Sequence, residues 1–292
     1  MSAKRVVKSL RNELTGFQKA IMWAFLTIVG IIMMLPMWNV LVVSTSSTLS
    51  SSRSGFLMWW DAFSLEGFKY VFEVSKLSRP FLNSLLVTTV GTLVQVMLSS
   101  IAGYVLIQRD LPFKRAITSF VMLTMMIPGD LTMISIYQLN RSLHLLNSYT
   151  GLIINGLISG FSILLMRNFF ETISYTLSES ARIDGASEMR IFAGIYMPIS
   201  LPGLATVFFM EYVSKWNAIT IPATLLTDEN LYTLPLKLKM MILSTDSTSG
   251  TAQIPNNAIM AAIIITAAPL LLIYVFAQKF LLSGLNLGAT KE

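Results

Sequence analysis

The fold of this chain is decided by one polar stretch between long apolar runs, Leu177-Ser-Glu-Ser-Ala-Arg-Ile-Asp-Gly-Ala-Ser-Glu-Met-Arg-Ile-Phe-Ala-Gly-Ile-Tyr-Met-Pro198. Ser178 can cap the N-terminus of a helix, and Glu179 follows it in the first turn, where the helix dipole favours an anion. Asp184 and Gly185 form a pair typical of a turn that ends a helix. The stretch therefore begins with a predicted short helix and a sharp turn.

A second short helix is predicted after this turn. Ser187 can cap it, and Glu188 falls in its first turn. Four apolar residues at helical spacing then form a stripe, namely Ile191, Phe192, Ile195 and Tyr196. Pro198 and Pro202 end the helix before the next apolar run. An exposed amphipathic pair needs a cover, either the membrane surface or a partner protein, and the pattern favours a docking element for a partner.

The composition indicates that the stretch belongs to a membrane protein. The 292 residues are 54% hydrophobic and 12% charged, whereas a typical soluble domain is about 25% charged. So little charge argues against a soluble enzyme, a disordered chain and, despite the net charge of +6, a nucleic-acid binder. Because the chain has no Cys and one His, disulfides, thiolate metal sites and His-rich metal sites are excluded.

Six long runs are apolar enough to be membrane spans, each of which needs about 20 mostly apolar residues. The first is too long for the apolar region of a signal peptide and is expected to be an uncleaved span. The fifth carries Glu211 and Lys215 and contains or adjoins three prolines. The prediction is an all-α, polytopic protein with six transmembrane helices at about 20–43, within 81–108, 116–138, within 145–166, 201–225 and 258–278.

The distribution of Lys and Arg predicts the orientation of these spans. If the N-terminus is cytoplasmic, 13 of the 21 cations fall on the cytoplasmic side, five of them at positions 4–19. This bias places both termini in the cytoplasm. The segment 167–200, which contains the helix pair, then faces the cytoplasm.

The stretch resembles the EAA loop of ABC-importer permeases, which has the form E-A-A-x-x-x-G with a Pro-containing segment downstream. It is most similar to the carbohydrate-importer version. The chain departs from that pattern at Ser180, where Ala is usual, and the change from one small residue to another keeps the packing. The matching residues are Glu179, Ala181, Asp184, Gly185, Ala186, Phe192, Pro198 and Pro202.

Other stretches extend this resemblance over about residues 20–290. They include Asn83-Ser-Leu85, Ala102-Gly-Tyr104, Arg109, Ile127-Pro128, Arg167-Asn-Phe-Phe170, Trp216-Asn217 and the tail Gln278-Lys-Phe280 with Gly284, Gly288 and Ala289. The tail is similar to that of the maltose-type second permease subunit, so a type I ABC importer fold is expected. The resemblance divides the chain into a tail, first span and outer loop at 1–80, a permease core at 81–282 with a coupling loop at 171–200, and a cytoplasmic tail at 283–292.

The resemblance implies a non-catalytic subunit of an ATP-driven importer in a bacterial cytoplasmic membrane. Its partners would be a second permease subunit, two ATPase subunits, an extracytoplasmic solute-binding protein and membrane lipid, and no nucleic acid. ATP and Mg would be bound by the ATPase, since this chain has no phosphate-binding G-x-x-x-x-G-K-[ST] loop and no cofactor of its own. The cargo would be a sugar or oligosaccharide, acidic or neutral.

The coupling residues implied by the resemblance are Glu179, Ser180, Ala181, Asp184, Gly185 and Ala186. Glu179 either contacts the ATPase or only caps its helix. Asp184 either braces the turn or contacts the partner. Gly185 supplies backbone freedom or a close approach that a Cβ would forbid. Ile191 and Phe192 are expected to pack against the permease itself.

Polar and aromatic residues within or beside the predicted spans are candidates for the translocation path. They are Asp130, Tyr137, Gln138, Asn140, Lys215, Trp216 and Asn217. Glu211 and Lys215 are four residues apart and can form an ion pair on one helix face, which is the favoured interpretation. Alternatively, Lys215 faces the path and meets an anionic sugar. Trp216 can equally belong to an interfacial aromatic belt.

Two other functions remain as alternatives. A gradient-driven secondary transporter would carry ionisable residues in several spans, and here only Asp130, Glu211 and Lys215 qualify. An importer permease for a non-sugar solute would share the EAA loop but less of the second-span and C-terminal pattern. The sequence favours the sugar importer over both.

Overall fold

The computed structural model describes residues 15–52, 55–246 and 254–289, with the side chains of Asp130, 245–246 and 281–289 outside the description. Within these ranges the elements are helical, apart from one isolated antiparallel bridge between Ser46 and Phe63. The helices are α1 Gly16–Ser44, α2 Thr48–Ser51, α3 Glu66–Glu73, α4 Ser78–Ile107, α5 Lys114–Met126, α6 Met133–Ser142, α7 Tyr149–Ile154, α8 Gly160–Glu171, α9 Tyr175–Ile183, α10 Glu188–Ile191, α11 Met197–Ile199, α12 Leu201–Trp216, α13 Thr220–Leu225, α14 Leu234–Asp246 and α15 Asn256–Ala289.

One compact unit contains the described residues up to Tyr70 together with Pro255–Ile264. α1 begins with a capping box, in which the Thr15 hydroxyl accepts from the Gln18 backbone N–H and the Gln18 side chain accepts from the Thr15 N–H. The helix is apolar on all sides and largely exposed, which is typical of a lipid-facing span. The indole of Trp38 donates to the Met58 carbonyl at 2.9 Å, which ties the following loop to the end of this helix.

The second unit contains Val71–Ile254 and Ile265–Glu292, and α4 is its central helix. One face of α4 is buried against α8 and α12 and consists of small or polar residues three or four positions apart: Ser84, Thr88, Gly91, Thr92, Gln95, Ser99 and Gly103. A Cβ at Gly103 would lie 2.8 Å from the Arg167 nitrogen, and one at Gly203 would lie 2.5 Å from the Phe169 ring. Small residues therefore let these helix backbones approach closely.

The N-terminal end of α4 is fixed by polar contacts to the segment before α14. The Asn83 amide donates to the carbonyls of Asn230 and Tyr232 at 2.9 and 3.0 Å, and the Tyr149 hydroxyl donates to Asn83 Oδ1 at 2.8 Å. The Ser84 hydroxyl accepts from the Leu234 N–H at 2.7 Å. The Asn-Ser pair of the second predicted span is thus a structural anchor.

Three of the six predicted spans coincide with long apolar helices, at Gly16–Ser44, Ser78–Ile107 and Asn256–Phe280. Another candidate span is a pair of segments, Glu188–Ile199 and Leu201–Trp216, that meet at 80°. The third and fourth predicted spans are each divided into two shorter helices, α5 with α6 and α7 with α8. The first break follows Ile127, whose extended backbone is the conformation favoured before a proline such as Pro128. By length and composition, the described helices therefore give three spans, or four with the bent pair.

We predict that Gly103→Ala destabilises the protein, because the new Cβ would force α4 and α8 apart. The expected loss is about 1–3 kcal/mol of unfolding free energy, as for other overpacked cores. It is measured as a lower thermal unfolding midpoint in detergent micelles. Gly30→Ala in α1 is the matched control, since its Cβ would meet nothing within 4 Å. Equal midpoints for the two variants would contradict the close packing.

Candidate functional site

The first helix of the predicted coupling loop begins one turn earlier than expected. Ser174, not Ser178, occupies the N-cap position of α9. The prediction of Ser178 as the cap is wrong, because this residue is buried inside the helix and its hydroxyl donates to the Tyr175 carbonyl at 2.7 Å. Glu179 consequently lies in the middle of α9 and is exposed, so first-turn capping does not explain it.

The predicted turn at Asp184 and Gly185 is present and has the geometry of a Schellman motif. The Ala186 N–H donates to the Ala181 carbonyl at 2.9 Å, and the Gly185 N–H donates to the Arg182 carbonyl at 3.0 Å. Gly185 has a φ of +80°, and a Cβ there would meet nothing within 4 Å. Glycine is therefore required here for its left-handed backbone and not for lack of space.

The second helix is capped as predicted. The Ser187 hydroxyl accepts from the Arg190 N–H at 3.4 Å, and Glu188 lies in the first turn of α10. Ile191 and Phe192 are buried, and they pack into an aromatic and aliphatic cluster whose other buried members are Val96, Tyr104, Met166, Phe170, Tyr196 and Val207. The expectation that Ile191 and Phe192 pack within the chain is confirmed.

A polar cluster joins the two loop helices to the end of α4. The Glu188 carboxylate accepts from the Tyr104 hydroxyl at 2.6 Å and from the Arg182 guanidinium at 2.6 and 3.1 Å. The guanidinium also donates to Gln108 Oε1 at 2.9 Å and to the Tyr175 hydroxyl at 3.2 Å. The hydrogen bond to Glu188 raises the pKa of the Arg182 guanidinium, so Arg182 stays charged.

This cluster is absent from the sequence-based predictions, in which Glu188 is only an anion in the first turn of a helix. No local spacing pairs Glu188 or Arg182 with Tyr104, which lies 84 positions before Glu188. Arg109, whose guanidinium lies 3.9 Å from the centre of the Tyr175 ring, belongs to the same group. Tyr104 and Arg109 belong to stretches of the sequence that resemble the importer permeases, and this resemblance is the one sequence signal that indicated them.

The outer surface of the loop is acidic and apolar. Four of the predicted coupling residues are exposed, namely Glu179, Ser180, Asp184 and Gly185, whereas Ala181 and Ala186 are half-buried against the aromatic cluster. Three large apolar side chains are also exposed: Leu177, Met189 and Ile183, which is 86% exposed. Exposed apolar groups beside carboxylates are typical of an interaction surface.

The candidate path residues fall into two groups. Trp216 and Asn140 are buried, at 1% and 2% exposure, and have internal partners. The Trp216 indole donates to the Thr266 carbonyl at 3.0 Å, and the Asn140 and Asn155 side-chain amides donate to each other. Tyr137, Gln138 and Asn217 are exposed. The Asp130 side chain lies outside the described residues, although its backbone is in a short 3-10 turn, Gly129–Thr132.

Glu211 and Lys215 make no mutual ion pair within 4.0 Å, although their spacing favoured one; in the described part of the chain each has another partner. The Lys215 ammonium donates to the Gly156 carbonyl, and the Glu211 carboxylate accepts from the Ser162 hydroxyl. Lys215 also lines a small cavity of about 80 Å³ together with Thr88, Gly91, Gly156 and Thr233. The ammonium group is therefore inside the helix assembly and not on its lipid-facing surface.

The described residues contain no group of three or more His, Asp or Glu side chains that could hold a metal ion. The residues that meet at this loop are hydrogen-bonding groups around the Glu188 carboxylate and apolar groups of the aromatic cluster. The exposed side of the loop offers carboxylates and apolar side chains with which a partner surface could be bound.

Comparison with known proteins shows similarity to permease proteins of transport systems. Residues 95–286 match the family described as binding-protein-dependent transport system inner membrane component. The chain is 31% identical over 279 residues to the polygalacturonan/rhamnogalacturonan transport system permease protein YtcP of Bacillus subtilis, covering 93% of this chain and 97% of that protein. It is 25% identical over 288 residues to the arabinooligosaccharides transport system permease protein AraQ of Halalkalibacterium halodurans, covering 98% and 100%.

A third relative is the sn-glycerol-3-phosphate transport system permease protein UgpE of Pectobacterium atrosepticum, which is 32% identical over 204 residues and covers 70% of this chain and 71% of that one. Among solved structures, a bacterial ABC transporter involved in the import of the acidic polysaccharide alginate matches with a TM-score of 0.81. That match covers 89% of this chain and 95% of the other at 24% identity. It shows that the fold is that of an ABC importer permease.

We predict that Trp216→Ala costs about 3–5 kcal/mol of unfolding free energy, because the buried indole stacks on Tyr212 and fills the core. The measurement is the thermal unfolding midpoint in detergent. Asn217→Ala is the control, since this exposed neighbour is expected to change stability by no more than about 0.5 kcal/mol. A Trp216→Ala protein as stable as the control would return Trp216 to the path candidates.

Proposed function

Because the chain belongs to the family of binding-protein-dependent transport system inner membrane components, we propose that it is one permease subunit of an ATP-driven ABC importer for a sugar or oligosaccharide. Together with a second permease subunit it forms the translocation path. The observation that carries the proposal is the folded loop of residues 174–200, in which two short helices flank a left-handed Gly185 and present an exposed acidic and apolar surface. A transporter that worked alone would have no use for this surface.

The complete importer contains two ATPase subunits and an extracytoplasmic solute-binding protein besides the two permease subunits. ATP and Mg are bound by the ATPase, which is consistent with the lack of a phosphate-binding loop in this chain. The chain is therefore not an enzyme itself. Closure of the ATPase subunits moves the loop, and the helices packed against it reorient between inward-facing and outward-facing states.

The chain crosses a bacterial cytoplasmic membrane several times, with six spans of which the third and fourth are broken helices. Both termini and the coupling loop are cytoplasmic, as the distribution of Lys and Arg supports. Broken helices are tolerated at membrane depth where protein or a water-filled cavity satisfies the freed backbone groups. The breaks between α5 and α6 and between α7 and α8 therefore belong on the protein side or the path side, away from lipid.

The coupling contact is made by the exposed surface of α9 and the turn after it. Glu179 and Asp184 offer carboxylates to basic or N–H groups of the ATPase. The small side chain of Ser180, which is also exposed, lets the partner approach closely between them. Ile183 and Met189 add apolar area that partner contact would remove from water. Ala181 and Ala186 are small on the inner side, which lets the loop sit close to the aromatic cluster.

The cargo is proposed to be an acidic oligosaccharide. Polygalacturonan and rhamnogalacturonan are named for one relative and the acidic polysaccharide alginate for the solved structure of the same fold, while a smaller anion, sn-glycerol-3-phosphate, is named for another relative. Lys215 supplies a positive charge inside the helix assembly. Asp130, Tyr137, Gln138 and Asn217 remain path candidates with it, whereas the burial of Trp216 and Asn140 supports a structural role for both.

The coupling assignment predicts that Gly185→Val abolishes transport and substrate-stimulated ATP hydrolysis in the reconstituted importer. A β-branched residue cannot adopt the φ of +80° without a cost of about 1–3 kcal/mol, so the loop must change shape. Gly185→Asn is the control, because Asn tolerates the left-handed region and is expected to keep most of the activity. Membrane insertion of both variants is checked by immunoblot. Normal transport by Gly185→Val would refute the assignment.

The substrate assignment predicts that Lys215→Gln reduces uptake of oligogalacturonides by at least about tenfold, which corresponds to roughly 1.4 kcal/mol. Uptake is measured in proteoliposomes containing the whole importer, with arabino-oligosaccharides as the neutral comparison. Lys215→Arg keeps the charge and should retain more of the acidic uptake. Equal loss of both cargoes would assign Lys215 a structural role, and a wild-type importer that takes only the neutral cargo would overturn the acidic substrate.

A further inference from the structure

We propose that Tyr104, Arg182 and Glu188 are positioning residues that fix the coupling loop to the end of α4, so that a displacement of the loop is passed directly to that helix. The inference rests on the proposed function, in which the loop is the surface moved by the ATPase. It assigns a role to three side chains outside the exposed coupling surface. Their common feature is that they join three different elements at one carboxylate.

The geometry of this carboxylate is that of a junction. Tyr104 lies in the last turn of α4, Arg182 in the last turn of α9 and Glu188 in the first turn of α10. Both Glu188 oxygens are engaged, Oε1 by Arg182 Nε at 2.6 Å and Oε2 by Arg182 Nη2 at 3.1 Å and the Tyr104 hydroxyl at 2.6 Å. A bidentate guanidinium–carboxylate pair fixes orientation as well as distance.

The same guanidinium extends the junction to the residues that follow α4. Arg182 Nη2 donates to Gln108 Oε1 at 2.9 Å, and Gln108 Nε2 donates back to the Tyr104 carbonyl at 3.2 Å. Arg182 Nη1 reaches the Tyr175 hydroxyl at 3.2 Å, while Arg109 covers the other part of this ring at 3.9 Å. The first turn of α9 is thus linked to the residues that follow α4 by the contact of the Tyr175 ring with Arg109.

The other contacts between the loop and α4 are apolar and carry less directional information. The Tyr104 ring is 7% exposed and lies 4.9 Å from the Tyr196 ring and 5.3 Å from the Phe192 ring, centre to centre. Aromatic packing of this kind tolerates sliding, whereas a buried phenol that loses its hydrogen bond costs free energy. The hydrogen bond of the Tyr104 hydroxyl to Glu188 therefore fixes the position of the Tyr104 ring relative to the other rings of the cluster.

The ion pair of Arg182 with Glu188 joins different helices, whereas a neighbouring ion pair lies within one helix. Arg167 and Glu171 pair at 2.7 Å within α8, four residues apart, and so hold one helix together. Arg182 and Glu188 lie on opposite sides of the turn at Gly185 and hold two helices to each other and to a third. A displacement of either loop helix is therefore passed to the other loop helix and to α4 through this pair, alongside the contacts of Gln108 and Arg109 and the apolar cluster.

The test uses the whole importer in proteoliposomes and measures the amount of substrate transported per ATP hydrolysed. Glu188→Gln and Tyr104→Phe are expected to lower this ratio at least about threefold, while ATPase subunits still copurify and ATP hydrolysis continues. Arg182→Glu should lower it further, and the exchanged pair Arg182→Glu with Glu188→Arg should recover part of the loss. Glu229→Gln is the matched control, since it breaks a surface ion pair with Lys237 elsewhere.

A second measurement follows the loop itself. The chain contains no Cys, so spin labels at the exposed positions Arg190→Cys and Asp110→Cys, outside the proposed coupling contact, can report the separation of the loop from the end of α4. With the junction intact, the distribution of distances between the two labels is expected to stay narrow when nucleotide is added to the importer. With Tyr104→Phe or Glu188→Gln the distribution should broaden.

The outcomes separate the inference from the function on which it rests. An unchanged transport-to-hydrolysis ratio in Glu188→Gln, Tyr104→Phe and Arg182→Glu, or an unchanged label distribution in Glu188→Gln and Tyr104→Phe, would overturn the junction while leaving the permease assignment intact. A parallel fall of transport and hydrolysis with lost copurification would also overturn it, since the side chains would then only maintain the fold. A wild-type chain that binds no ATPase would refute the proposed function and the inference with it.

Discussion

The close approach of α4 to α8 and α12 is the constraint on which the rest of the second unit depends. A helix that packs inside a membrane protein gains little from excluding water, so contact between backbones has to supply the attraction. Gly103 permits the approach of α4 to α8, and Gly203 permits the approach of α12 to α8, since a side chain at either position would collide with α8. Polar residues on the same face of α4 make it unsuited to lipid, and its leucine-rich face remains exposed.

The coupling loop is arranged around this helix. Tyr104 is one residue beyond Gly103, so a close approach of α4 to α8 is followed at once by the phenol that reaches Glu188. Phe170, at the end of α8, joins the same aromatic cluster. The loop is thus attached to two helices whose mutual approach leaves no room for a Cβ at Gly103, and its own outer surface is exposed.

Local features of the loop were predictable from the sequence because they depend on neighbouring residues. The Ser187 cap, the turn at Asp184 and Gly185 and the buried stripe at Ile191 and Phe192 are all of this kind. The start of α9 was misplaced because Ser174 and Ser178 are one helical turn apart and both can cap. Spans three and four were predicted from apolar length, which does not register a break such as that before Pro128.

Nonlocal features of the site were not predictable in the same way. Spacing alone suggested an ion pair between Glu211 and Lys215, but nearby groups on another segment compete for both. The burial of Trp216 depends on Thr266 and Tyr212 being close, which no pattern along the chain reveals. Helix packing decides which polar residues of a membrane protein face a cavity. The sequence therefore identifies candidate path residues but does not show which of them line the cavity.

The left-handed backbone at Gly185 has a consequence for how such a subunit can diversify. The angle between α9 and α10 is set at the turn by one residue and two backbone hydrogen bonds, none of which involves an exposed side chain, and the pair of Arg182 with Glu188 holds it. Exposed positions such as Glu179, Ser180 and Ile183 can therefore be exchanged without altering the shape that presents them. Under the proposed function, a lineage can change which ATPase its permease accepts by surface substitutions alone, while the turn beneath them is inherited unchanged.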